Sequence, residues 1–217
     1  MRDLRLVQAK GEIRSMRANV ALFSLVAMFV GLHLLAPIMS SKILLVGGLT
    51  FTSGALLIGI SYAVLDILND WKGRVVAREL VLSALIVRTV FFVIIIPLVI
   101  FLPASRETPG FTDFMTSSVR LFAAGLASLF VSSYLVSIPV FTWLKAKTDG
   151  KWFALRYLTT NLPVIVSATV VYVTLGFWGT DVDLGRLYFG QTVARILFGV
   201  AIVPIVWGVR TLIRRYE

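Results

Sequence analysis

The chain has 217 residues, 58% of them hydrophobic and only 15% charged, with a net charge of +10. Ordinary soluble domains are roughly 25% charged, so this composition describes a membrane protein with no room for a soluble catalytic domain. The absence of cysteine excludes disulfides, thiolate catalysis and cysteine-ligated metal, and the one histidine cannot build a metal site unaided.

Crossing about 30 Å of hydrocarbon takes about 20 apolar residues. On that measure spans fall at 18–39, 43–65, 80–102, 121–144, 157–178 and 187–209. The runs lack the alternation of a barrel, and lipid offers backbone groups no partner outside a helix or closed sheet. The expected fold is an all-α integral membrane protein, a bundle of six transmembrane helices forming one domain over 1–217.

The first span is too long for a signal h-region and lacks a small-x-small cleavage site, so it is read as a retained helix. His33, midway along it, fits either a hydrogen-bonded structural histidine or a proton relay. The second run is rich in small residues (Gly47, Gly48, Ser53, Gly54, Gly59, Ser61), which lets helices approach closely.

Its end is the most informative stretch of the chain, SYAVLDILNDWKGRVVAR. Asp66, Asn69 and Asp70 stand at i, i+3 and i+4, which puts them on one helical face. A carboxylate at a bilayer centre costs about 2.5–3.5 kcal/mol on insertion scales, so one kept there binds something, carries a proton or pairs with a cation. Gly73 breaks the helix, and Arg74 and Arg78 follow. The plainest alternative is that the acids cap the helix end and pair with those two arginines.

In the third span Arg88 is isolated in an apolar run and needs a carboxylate, a carbonyl or a ligand. Asp66 is the expected partner, as a structural clamp or a shared ligand contact. The loop at 103–118, with Pro103, Pro109 and Gly110, is expected to be irregular. The fourth span carries a second group of small residues from Ala123 to Ser133. Arg120 and Arg195 are expected to start their helices and snorkel to the surface. Asp181 and Asp183 read as a solvated turn, since their number and spacing do not suit calcium. Pro97, Pro139, Pro163 and Pro204 fall inside apolar runs, where several kinks favour a cavity over a plain anchor. Tyr62, Tyr134, Asn161, Tyr172 and Gln191 add polar tips suited to a small ligand. The five tryptophans lie near span ends, as interfacial anchors do.

The basic residues follow an orientation rule rather than a nucleic-acid pattern. With the N-terminus inside, Arg2, Arg5, Lys10, Arg14, Arg17, Lys72, Arg74, Arg78, Lys145, Lys147, Lys151, Arg156, Arg210, Arg214 and Arg215 share the cytoplasmic side. Outer loops hold Lys42, Arg106 and Arg186. This asymmetry predicts both termini in the cytoplasm. The bilayer is the expected partner of that charge, and no soluble basic module exists to bind nucleic acid. No P-loop, nucleophile elbow, HExxH or GxGxxG occurs, and no cofactor or metal is expected.

Two blocks of residues carry a resemblance. Lys42, Gly54, Tyr62, Asp66–Ile67, Asp70, Gly73 and Ala77–Arg78 form the first, and Gly150–Lys151–Trp152, Arg156 and Thr159–Thr160 the second. Gln191, Arg195 and Pro204 add a weaker third. In this order they resemble the vitamin uptake transporter family, whose best-known members carry queuosine precursors. The resemblance implies a six-helix inner-membrane importer for 7-cyano- or 7-aminomethyl-7-deazaguanine. The chain departs from the family where members often carry acids, at Ser137 and Ala168, and where they carry a glutamine, at Tyr134.

The candidate substrate-binding or proton-coupling residues are therefore Asp66, Asn69, Asp70 and Arg88. Tyr62, Arg78, Arg120, Tyr134, Arg156, Gln191 and Arg195 are secondary. A carboxylate such as Asp66 suits the paired N–H donors of a guanine-type edge. The leading expectation is a secondary importer of a small heterocycle. The alternatives are a substrate-binding subunit that needs a separate ATPase module, and a structural scaffold. Homo-oligomerisation is open. An enzyme would need a convergent nucleophile, acid and base that the sequence does not offer.

Overall fold

The computed structural model describes residues 2–103 and 109–214, so Arg106 and Arg215 lie outside the described residues. Helix α1 runs Arg2–Ser40. Strands β1, Ile43–Val46, and β2, Leu49–Thr52, follow, then α2, Gly54–Lys72. Next come α3, Arg74–Phe101, α4, Phe111–Lys147, and α5, Phe153–Phe177. The chain closes with α6, Leu184–Ala201, and α7, Val203–Arg214, bent by 48° from one another. Among the described residues five helices are long and apolar enough to cross a membrane unbroken, and a sixth span results if the bent pair α6–α7 is counted as one. The all-α membrane bundle holds.

The expected second span begins too early. Residues 43–52 form an antiparallel hairpin in which Ile43 faces Thr52 and Val46 faces Leu49. The link is Gly47–Gly48, with φ of 57° and 80°. A two-residue turn with φ > 0 at both positions matches the right-handed twist of its strands, and glycine takes it without strain. The hairpin packs on α6 at Gly190, where a Cβ would run into the backbone of Thr50. Thr52 also donates from its backbone N–H and its hydroxyl to Gln191 Oε1, at 3.3 and 3.1 Å. The expected outer loop is shorter too, because helix resumes at Phe111.

Gly73 (φ 85°) separates α2 from α3, as its sequence position suggests. Two prolines announce wider turns. Phe91–Ile95 and Phe130–Ser137 are π-helical, and each lies just before a proline, Pro97 or Pro139. A proline ring clashes with the carbonyl four residues back, here Val93 or Leu135. Both carbonyls sit in a π segment, where the hydrogen-bond ladder is already reset and the clash relieved.

The loops at 72–74 and 148–152 and the end of α7 gather at one end of the bundle, around Asp70, and the hairpin and the turn at 179–183 at the other. Phe23, Phe101, Leu162, Leu197 and Ile205 are exposed around the sides, as a surface facing acyl chains requires. Trp143, Trp152, Trp178 and Trp207 are exposed near span ends.

Candidate functional site

One face of α2 organises the interior. Ile58, Tyr62, Asp66 and Asp70 recur every fourth residue, about 6 Å apart along the axis. Helix α4 runs beside them in the same direction. The Tyr62 and Ser132 hydroxyls lie 2.8 Å apart. Ser137 donates to Asp66 Oδ1 at 3.2 Å, and Asn69 Nδ2 donates to Thr142 at 3.4 Å. The Lys145 ammonium reaches Asp70's backbone carbonyl at 2.6 Å. The spacing is four residues on α2 between Tyr62 and Asp66, but five on α4 between Ser132 and Ser137. In an α-helix residues five apart point about 140° away from each other. The wider π turn brings both serines to α2.

At the basic end Asp70 is a hub. Its Oδ1 accepts from Arg156 at 2.9 Å, and its Oδ2 from Arg210 at 2.7 Å and Arg214 at 3.2 Å. Lys145 adds a contact at 3.7 Å. Arg156 also donates to the Gly150 carbonyl at 3.1 Å and lies over the rings of Phe141 and Phe153. Arg210 also lies over the Phe153 ring, 4.6 Å from its centroid. One buried carboxylate thus ties α2, α4, α5 and α7 together. Pairing with Arg74 and Arg78 is not what forms. Arg78 instead lies 5.5 Å above the Tyr134 ring, which stacks on Phe130.

Arg88 does not pair with Asp66. It is 1% exposed and points into a second cluster nearer the hairpin, a cavity of about 20 Å³. His33, Ser40, Tyr62, Arg88, Ser128, Tyr172 and Arg195 supply its polar lining, from α1 to α6. The guanidinium of Arg88 lies against Gly125, where any Cβ would overlap it. Arg195, expected at the surface, is 4% exposed, and its Nη1 donates to Thr169 at 3.2 Å. No carboxylate among the described residues lies within ion-pairing distance of either arginine. The Nε atoms of both, and both nitrogens of His33, are buried without a hydrogen-bond partner.

The remaining candidates are structural in placement. Arg120 donates to the carbonyls of Leu175 (3.0 Å) and Trp178, where a cation suits the C-terminal end of α5. Gln191 holds the hairpin. Ala168 packs against Tyr62 and Val164, and its carbonyl accepts from Ser128 at 3.2 Å. Tyr172, one of the polar tips read from the sequence, does line the cavity; sequence reasoning missed Gly125 as a cavity residue, and Lys145, Arg210 and Arg214 as partners of Asp70. The four-residue step from Arg210 to Arg214 was the available signal. Among the described residues no cluster of three or more metal-binding side chains occurs.

Fold and interior together define a multi-pass membrane protein whose spans enclose a polar, positively charged cavity. The family model described as "Putative vitamin uptake transporter" matches residues 52–209, and the chain belongs to that family. No curated protein and no solved structure matches it significantly.

Proposed function

We propose that the protein imports a queuosine precursor, 7-cyano- or 7-aminomethyl-7-deazaguanine or a related small heterocycle, across the cell inner membrane, with both termini in the cytoplasm. The observation that carries this reading is the closed cavity at Arg88 and Arg195. Unpaired guanidiniums held out of water are costly, and a solute bearing ring carbonyls offsets that cost by accepting from them. Tyr62 and Tyr172, within electrostatic reach of both arginines, offer aromatic faces to a flat bicycle. At about 20 Å³ the cavity has room for about one water. A bicyclic solute therefore needs the spans to part, as alternating access requires.

Asp66 lies one helical turn beyond Tyr62, and its Oδ2 has no hydrogen-bond partner. It is placed to accept from the N–H edge of a guanine-type ring, or to carry the coupling proton of a secondary transporter. The chain has no nucleotide-binding loop of its own, which favours ion coupling over ATP hydrolysis within this subunit.

The test is rescue of tRNA queuosine in bacteria lacking both precursor synthesis and their own importer, fed low deazaguanine. The expected result is restored queuosine with the wild-type chain, lost with Arg195→Gln at equal membrane expression. Good insertion without rescue refutes the deazapurine assignment.

A further inference from the structure

The cavity is lined by two cationic side chains and no anionic one. Arg88 and Arg195 bring two guanidiniums, and His33 adds two ring nitrogens without partners, one a donor and one an acceptor in the neutral ring. Of the lining hydroxyls, Tyr62 is engaged with Ser132 and Ser128 with the Ala168 carbonyl, and all of them, with those of Ser40 and Tyr172, are uncharged. The acids nearest along α2 stand outside it. Asp66 bonds Ser137 through Oδ1 and keeps Oδ2 free, and Asp70 is surrounded by Arg156, Arg210, Arg214 and Lys145. Neither lines the cavity. A positive solute would meet two like charges with no counter-charge and little water to screen them.

We infer that the Arg88–Arg195 cavity selects its solute by charge, taking small molecules with a carbonyl, nitrile or carboxylate edge and rejecting those that carry an ammonium group. This rests on the importer reading and narrows it, because the two deazaguanines named above differ in this respect. The 7-cyano compound is neutral and adds an acceptor beside its ring carbonyl. The 7-aminomethyl compound places a cation there.

Three congeners on one bicycle, bearing 7-cyano, 7-carboxy and 7-aminomethyl groups, decide the matter by binding to the purified full chain in detergent. The nitrile and the carboxylate are expected to bind, and the aminomethyl compound about a hundredfold more weakly than the nitrile, since opposed like charges are strongly unfavourable. Arg195→Gln should reduce that ratio at least tenfold by weakening the nitrile and relieving the ammonium. An aminomethyl affinity within threefold of the nitrile overturns the inference.

If none of the three binds, the deazapurine reading fails alone, and small ions decide the charge selection. Formate should raise the melting temperature of the wild type more than methylammonium does at matched ionic strength. Arg88→Gln and Arg195→Gln should each abolish the difference. An equal response to both ions in the wild type, or an undiminished difference in both variants, overturns the inference.

Discussion

Gly125→Ala tests whether the Arg88 guanidinium must lie where it does. A Cβ on residue 125 would stand 2.6 Å from Arg88 Cζ and 3.1 Å from Nη1, closer still to Nη2. Favourable carbon–carbon contact begins near 3.5 Å, so the head group has to move by about 1 Å. With about 20 Å³ of free space beside it, the move takes room from the cavity itself. Overpacking of this kind typically costs about 1–3 kcal/mol. If the loss falls on ligand binding, affinity drops about 5- to 140-fold. The assay is solute affinity and melting temperature of the purified variant, paired with Arg88→Lys and the double mutant. Lysine lacks the planar fork, so the double mutant should recover part of the loss, a coupling of about 0.5–3 kcal/mol. A Gly125→Ala protein with wild-type melting temperature and affinity would refute the packing argument.

Asp66→Asn preserves shape and the contact to Ser137, so membrane expression should persist while uptake is lost; uptake at wild-type rate would remove Asp66 from the transport path. Asp70→Asn strips the buried Arg156 of its counter-charge. Breaking a buried pair from one side costs about 3–5 kcal/mol, and the expected sign is a lowered melting temperature with faster proteolysis near α7. Gly190→Val would drive a side chain into the backbone of Thr50. Hydrogen exchange at 43–52 should then accelerate while the helix interiors stay protected.

The sequence was most legible where the physics is local. Hydrophobic length located the spans, Gly73 the break between α2 and α3, and four-residue spacing the shared face of Asp66 and Asp70. The hairpin was missed because a hydropathy window sums over ILLV, the two glycines and LTFT as one apolar run. The alternation and the Gly–Gly turn that mark strands are short-range signals inside it. Arg195 was misplaced because distance from a span end was taken as depth. Helix α6 begins near the hairpin, and its Arg195 lies about three turns in. The partners of Asp70 lie 75 to 144 residues away along the chain. Nothing local distinguishes a basic residue that orients a span from one that folds back onto a carboxylate.

The π segment Phe130–Ser137 changes how length is counted along the fourth span. Accommodating it amounts to storing an extra residue inside a continuous helix. Every side chain beyond it is rotated by roughly 100° relative to an uninterrupted α-helix, the angle of one residue. Ser128 and Ser132 belong to one phase, Thr142 and Lys145 to the other, and both phases face α2 because of the offset. Removing a single residue between Phe130 and Val136 would leave a span still long enough to cross the bilayer. Its basic half would nevertheless present the wrong face, taking Thr142 from Asn69 and Lys145 from Asp70. In this span, membrane thickness tolerates an error of one residue and the register of the interior does not.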